Sequence, residues 1–173
     1  MRPTSERARE ALFDILSHGT VAAAGAPFRG RRVLDAFAGT GAFGLEALSR
    51  GAAEAAFIEN EAAALAALRR NIAALGEEGG ARVFPADATR PPRAPFACAI
   101  AFLDPPYASG LAAPSLAALA AAGWLEPEAI AVVEIAAREE FSPPAQFNLF
   151  DERHYGAARF LLMRFSPSRS KQL

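Results

Sequence analysis

The short apolar run Arg32-Val33-Leu34-Asp35-Ala36-Phe37 leads directly into Gly39-Thr40-Gly41-Ala42-Phe43-Gly44. Glycines at that spacing permit a turn too tight for residues that carry a Cβ, and they bring main-chain amides close to whatever lies outside the turn. Leu45, Ala47 and Leu48 follow, and Arg50-Gly51 marks a stop, so the turn opens a helix. A strand, a tight turn and a helix in that order make half of a crossover unit, whose next strand returns parallel to the first.

The alternation continues along the chain. Ala55 to Glu59 reads as a second strand, and Leu65, Leu68, Ile72 and Leu75 recur at helical spacing before a stop at Gly76. Arg82-Val83-Phe84 and Cys98 to Leu103 are further strands, separated by the loop Thr89 to Pro95, whose prolines forbid regular pairing. Leu111, Leu116 and Leu119 mark a helix ending at Gly123, and Ile130 to Ile135 gives a fifth strand. Gln146 to Phe150 and Ala158 to Phe165 are expected to close the sheet as an antiparallel pair. Ahead of all this, Thr4 or Ser5 can cap a helix bearing Ala8, Leu12, Ile15 and Leu16, with Gly19 ending it and a loop from Val21 to Gly30 after it. The expected fold is α/β and doubly wound, a mostly parallel sheet covered on both faces. It forms one domain over residues 1–165, with a leading helix at 1–19 and a flexible tail at 166–173.

Composition excludes several classes. A chain of 173 residues, 52% of them hydrophobic, supports one compact core. The only cysteine, Cys98, lies in an apolar strand, so no intrachain disulfide can form; a core role in a reducing cytoplasm is expected. The first residues carry mixed charge rather than the apolar run of a signal peptide. Between Asp104 and Glu126 no residue is charged, yet Pro105, Pro106, Gly110, Pro114 and Gly123 interrupt the span, which reads as a loop and helix and not a membrane anchor. His18 and His154 are isolated, so no metal site is expected, and Ser5, Ser17 and Ser49 have no legible histidine and acid partners. Trp124 reads as a packing residue, and Glu134 as a strand-end acid near the crevice. Residues 1–32 hold six arginines against three acids. Arg2, Arg7 and Arg9 are thus candidates for contact with a phosphate backbone, while ordinary solvated helix charge explains them equally.

The glycine loop alone is compatible with many nucleotides. Glu59, 20 residues past Gly39 and at the end of the next strand, can accept the hydroxyl protons of an adenosine ribose. Asp35 is the discriminating residue: its charge opposes a pyrophosphate but suits the ammonium and sulfonium of S-adenosylmethionine, while the following helix N-terminus favours that ligand's carboxylate. Asp87 can take a hydrogen bond from an adenine amine, with the Ala88 amide offered to a ring nitrogen. Phe37, the last residue of the first strand, and Asn60, just beyond the second, complete the expected cofactor set with Gly39, Thr40 and Gly41.

Asp104-Pro105-Pro106-Tyr107 stands at the end of the fourth strand. An exocyclic amine on a purine is a poor nucleophile, since its lone pair is delocalised until the nitrogen pyramidalises. Asp104 and the Pro105 carbonyl can each accept an amine hydrogen bond and aim the lone pair at a sulfonium methyl. The prolines, Pro106 included, stiffen the backbone, and Tyr107 offers a ring face for an unstacked base.

Arg2-Pro3-Thr4 with Arg7-Ala8-Arg9-Glu10-Ala11-Leu12-Phe13, the stretch Leu34 to Gly51, Asp104-Pro105-Pro106-Tyr107, Gly123-Trp124-Leu125 and Tyr155-Gly156 together resemble the bacterial 16S ribosomal RNA guanine-N2 methyltransferases over nearly the whole chain. The resemblance implies a Rossmann-like methyltransferase fold of seven strands with an antiparallel C-terminal hairpin. It also implies S-adenosylmethionine as donor and a guanine of 16S rRNA within a small-subunit particle as acceptor. Carried onto this sequence it places Asp35, Gly39 to Gly41, Glu59 and Asp87 around the cofactor, and Asp104 to Tyr107 around the base. Members of that family carry a basic, glycine-containing strand before the Arg-Pro-Thr element, whereas this sequence begins at Met1-Arg2; the expectation is a shortened form with weakened RNA affinity, although an earlier start accounts for the same departure. Three other readings stay open on the residues: transfer to adenine or a glutamine side chain, a non-catalytic RNA-binding scaffold, and a nicotinamide oxidoreductase.

Overall fold

The computed structural model describes residues 4–18 and 27–168. Arg2, the side chains of Thr4 and Ser5, Gly19, residues 21–26 of the expected loop and residues 169–173 of the expected tail lie outside the described residues. In chain order the elements are α1 (Thr4–His18), β1 (Arg32–Ala36), α2 (Ala42–Ser49), β2 (Glu54–Glu59), α3 (Ala62–Ala74), β3 (Ala81–Pro85), β4 (Cys98–Leu103), α4 (Ala112–Ala121), β5 (Leu125–Ala136), β6 (Phe147–Tyr155) and β7 (Ala158–Phe165).

They build one seven-stranded sheet in the order β3-β2-β1-β4-β5-β7-β6. The first five strands in space run parallel, and β7 inserts antiparallel between β5 and β6. The chain winds outward from β1 through β2 to β3, then returns to lay β4 on the other side of β1. Where the winding reverses, the loops leaving β1 and β4 diverge and leave a crevice at their C-terminal ends. Ala36 pairs with Leu103 there, so Phe37 and Asp104, the next residue on each strand, are side by side.

Period-two alternation divides the sheet's side chains between two cores. Val33, Phe57, Ile100, Phe102, Val132 and Phe160 face one way, against Leu12, Phe13 and Leu16 of α1, Phe43 and Leu48 of α2, and Leu68 and Ile72 of α3. Leu34, Ala36, Ile58, Leu103, Val133 and Met163 face the other, against Leu116 and Leu119 of α4 and Trp124. Trp124 is fully buried and donates Nε1–H to the Pro92 carbonyl at 2.9 Å, the packing role its position suggested.

A run of rings fastens α1 to the sheet: the Phe13 and Phe43 centroids lie 5.2 Å apart, and those of Phe43 and Phe102 4.7 Å apart. Arg9 sits one turn before Phe13, so this packing also fixes where Arg9 points.

Three elements differ from the sequence expectation. Strand β5 begins at Leu125 rather than Ile130. Its register against β4 jumps from Cys98–Leu125 to Ile100–Ile130, so the polar Glu126-Pro127-Glu128 segment bulges outward with Glu128 at φ 68°. Strand β6 runs on to Tyr155 through Asp151, Glu152, Arg153 and His154, because an edge strand needs only one pairing partner and tolerates charge on its open side. Within the expected tail, the Ser166 amide donates to the Gln146 carbonyl at 2.8 Å, so its first residue is held against the residue that precedes β6.

The turn into α2 leaves no room for larger residues. A Cβ on Gly44 would meet the Phe57 ring, coming within 2.7 Å of Cζ, and Phe57 is fully buried. Gly44→Ala is expected to cost about 1–3 kcal/mol through displacement of that ring. Urea denaturation measures it; an unchanged midpoint would show that the core gives way freely.

Candidate active site

The C-terminal end of β1 carries the least ordinary residue in the fold. Asp35 is buried, 2% exposed, on the face covered by α1 and α2. Its Oδ2 accepts the Gly44 amide of α2 at 2.9 Å, across the glycine turn. Burial drives the Asp35 carboxyl well above the usual aspartate range; the Gly44 bond and the more distant Arg9 charge oppose that rise, while Asp104 and Glu59 reinforce it. No helix-capping side chain serves α2, whose N-cap is Gly41 in the left-handed region at φ 86°. Asp35 takes over that duty from inside the sheet.

Between β1 and the turn, Phe37 adopts φ 57°, a left-handed conformation that costs a non-glycine residue about 1–2 kcal/mol. It lines both cavities of the crevice. The smaller, about 80 Å³, is walled by Arg9, Asp35, Phe37, Ala42, Phe43, Asp104 and Glu134. The larger, about 510 Å³, is walled by Phe37, Glu59, Asn60, Asp87, Ala88, Thr89, Asp104, Pro105 and Pro106, among others. Phe37 and Asp104 are the two residues common to both, as the pairing of Ala36 with Leu103 dictates.

Around the larger cavity the acids are held by main-chain donors. Glu59 Oε2 accepts the Gly39 amide at 2.7 Å, and Oε1 accepts those of Asn60 and Glu61 at 2.9 Å each. The residue expected to meet a ribose therefore also ties the glycine turn to the start of α3. Asp87 Oδ1 accepts both the amide and the hydroxyl of Thr89, at 2.8 and 2.7 Å. Those bonds, the hydroxyl first, hold the Asp87 carboxyl below the usual range and keep it ionised. Ala88 is buried beside it.

Of the residues singled out in the sequence, Asp35, Phe37, Glu59, Asn60, Asp87, Ala88, Asp104, Pro105 and Pro106 line the two cavities. Gly39, Thr40 and Gly41 shape the crevice without lining it: the Gly41 amide closes on the Ala38 carbonyl at 2.8 Å, and the Thr40 carbonyl takes the Asn71 amide side chain at 3.0 Å. Tyr107 is half-buried in the loop after β4 and is outside the lining of either cavity. Arg7 and Arg9 part company: Arg7 is exposed, whereas Arg9 is half-buried in the small cavity with Asp35, Asp104 and Glu134. Glu134 entered the sequence reading only as a neighbour of the crevice; the available signal was an acid near the end of a fifth strand. Among the described residues no group of histidine, cysteine and acid side chains could hold a metal ion, and no helix is long and apolar enough to cross a membrane.

A seven-stranded, mostly parallel sheet with an antiparallel end, and a crevice of acids at its switch point, is the Rossmann-like methyltransferase fold. Solved structures of that class superpose on it. One from Escherichia coli, provisionally described as a methyltransferase, yhhF, gives a TM-score of 0.80 at 35% identity, over 97% of this chain and 89% of that one. An RNA methyltransferase from Salinibacter ruber in complex with S-adenosyl-L-homocysteine shares the fold at a TM-score of 0.71 and 12% identity, over 99% of each chain. The chain belongs to the family described as conserved hypothetical protein 95, whose model matches residues 1–164. Its relatives include "Ribosomal RNA small subunit methyltransferase D" of Escherichia coli K12, 37% identical over 94% of this chain and 78% of that protein, and its namesake in Haemophilus influenzae, 30% identical over 94% and 82%.

An aspartate whose carboxyl is raised by burial favours its protonated form in the fold, so its contribution to stability is greatest below the ordinary aspartate pKa. That contribution is lost as pH climbs towards the raised value. Asp35→Asn keeps an oxygen for the Gly44 amide without the charge. In the ligand-free protein the variant should gain on the wild type as pH is raised through the range above the ordinary aspartate value. Urea midpoints across that range test it, and a gap that stays constant or moves the other way contradicts the burial argument.

Proposed function

We propose that the protein transfers a methyl group from S-adenosylmethionine to the exocyclic N2 amine of a guanine in 16S rRNA. The observation that carries this reading is the meeting of two cavities at Asp104 and Phe37, with the carboxylates arranged along them. When bound, the donor supplies an electrophilic methyl on a sulfonium.

The residues present suit that ligand. Burial disfavours the ionised form of Asp35, and an ammonium group in the small cavity would stabilise it as a carboxylate. Arg9 lines the same space and offers a cation to the methionyl carboxylate, a use of the side chain different from contact with phosphate. The larger cavity falls in the size range of small-ligand sites and suits an adenosine. Glu59, with one lone-pair position left after its three amide bonds, faces the ribose, and Asp87 Oδ2 and the Ala88 amide face the adenine edge. Phe37 separates the two compartments.

Asp104 and the Pro105 carbonyl accept hydrogen bonds from the two N–H groups of the target amine, which holds the nitrogen lone pair towards the donor; as the methyl leaves the sulfur for the nitrogen, one of those protons is released to Asp104 or to solvent. Positioning of this kind supplies most of the acceleration in a displacement whose electrophile is already activated. Pro105 and Pro106 lack N–H groups, so their main chain offers the amine acceptors only. The half-buried Tyr107 ring offers a face to the extruded base. The relatives' names support the RNA class of the acceptor. Arg7, exposed at the start of α1, supports binding of its phosphates.

Asp104→Ala should bind S-adenosylhomocysteine within about threefold of the wild type while transfer of labelled methyl to small-subunit particles falls by about 100-fold or more. Calorimetry and a radiolabel assay read the two quantities, and nucleoside mass spectrometry of the product should show N2-methylguanosine. Wild-type transfer to adenine or to protein would replace the acceptor, and undiminished transfer by the variant would remove Asp104 from the chemistry.

A further inference from the structure

In the loop that carries Asp104 to Tyr107, Pro105 and Pro106 have no amide hydrogens to donate. Two bonds within it, Ser109 amide to the Pro106 carbonyl and Leu111 amide to Ser109 Oγ, are long at 3.3 Å. Ala108 sits at φ 53°, a left-handed conformation that alanine does not choose unaided. A tie from outside the loop reaches that residue: the Ala108 amide donates to Glu139 Oε2 at 3.0 Å.

Glu139 is itself fixed by the end of the sheet. The same Oε2 accepts the Ala136 amide at 3.3 Å, and the Glu139 amide donates back to the Ala136 carbonyl at 3.0 Å. The Glu139 carbonyl receives Arg159 Nη2 from β7 at 2.6 Å. Arg159 Nε lies 3.3 Å from Glu152 Oε1 of β6, an ion pair without hydrogen-bond alignment. The Ala137 amide donates to the Ala157 carbonyl in the β6–β7 turn at 2.9 Å. One carboxylate oxygen therefore hangs the strained Ala108 corner from the point where β5, β6 and β7 come together.

We infer that Glu139 is a positioning residue for methyl transfer: by holding the Ala108 amide it sets the angle at which Asp104 and the Pro105 carbonyl meet the target amine. The inference rests on the proposed transfer reaction. Glu139 lines neither cavity and takes no proton; its task is to accept two amide bonds at a fixed place. A misplacement of about 1 Å at a reacting group costs on the order of 100-fold in rate, so the tie should be visible in kcat. Acceptance needs an oxygen and no charge, and a glutamine of the same length supplies one.

The test compares Glu139→Ala, Glu139→Gln and wild type for methyl transfer to small-subunit particles, for S-adenosylhomocysteine affinity, and for hydrogen exchange in the peptide spanning residues 104–111. Glu139→Ala should lose about 10- to 100-fold in kcat with S-adenosylhomocysteine affinity unchanged and with Ala108 amide protection lost. Glu139→Gln should restore both. If Glu139→Ala does not fold, Glu139→Asp, one methylene short of Ala108, should show the same loss in rate and protection. Wild-type rates in the alanine variant, or a glutamine variant as slow as alanine, would overturn the inference. If the wild type itself transfers nothing, the reaction assignment fails, and the exchange data still decide: equal protection in wild type and Glu139→Ala overturns the positioning role.

Discussion

A carboxylate buried where β1 gives way to α2 is the constraint around which this end of the molecule is organised. Asp35 has one neutral amide as its hydrogen-bond partner across the turn, and two further acids, Asp104 and Glu59, press on it electrostatically. A fold concerned with stability alone would place an apolar residue here, since a buried carboxyl must either stay protonated or carry a charge that burial disfavours. The glycines at 41 and 44 let α2 approach closely enough for the Gly44 amide to reach Asp35. The strain at Phe37 turns the chain out of the sheet immediately afterwards. Both features cost stability, and both become intelligible if a cation is to be received at that spot.

The topology determines what lies beside it. Because β4 is laid against β1 after the winding reverses, the residues following the two strands are neighbours, and the loop bearing Asp104 is brought to the same crevice. The two halves of the site thus come from chain segments about 65 residues apart, joined by register alone. Main-chain amides grip Glu59 and Asp87 around the larger cavity, while the smaller one sets the Arg9 side chain among Asp35, Asp104 and Glu134. The anchoring of the second half, through Glu139, comes from the antiparallel end of the sheet, so β5, β6 and β7 support the site as well as completing the core.

Much of this was legible from residues alone, for local reasons. The strand, glycine turn and helix at 32–51 announce themselves because φ > 0 and close packing demand glycine, and the buried parallel strands announce themselves as apolar runs. Asp35, Glu59, Asp87 and Asp104 could be singled out because each stands at or beside a strand end, where periodicity stops; Glu61, which also lines the larger cavity, carries no such mark. The start of β5 was hidden by Glu126-Pro127-Glu128, a bulge whose composition reads as loop. The charged second half of β6 was hidden because an edge strand shows no apolar alternation on its open side. Arg9 and Arg7 are chemically alike in sequence, and only the packing of Phe13 on Phe43 sends one of them inward. The bond from Glu139 to Ala108 spans 31 residues and has no local signature at all.

The most direct test of the central claim is a crystal structure with S-adenosylhomocysteine bound. The account predicts adenine against Asp87 and Ala88, ribose on Glu59, the amino group on Asp35, and the sulfur at the narrow passage between Phe37 and Asp104, open towards the loop that ends at Tyr107. A ligand whose sulfur faces away from Asp104, or one seated instead in the groove formed by Gly30, Arg31, Glu54 and Glu126 at the opposite, N-terminal end of the strands, would contradict it.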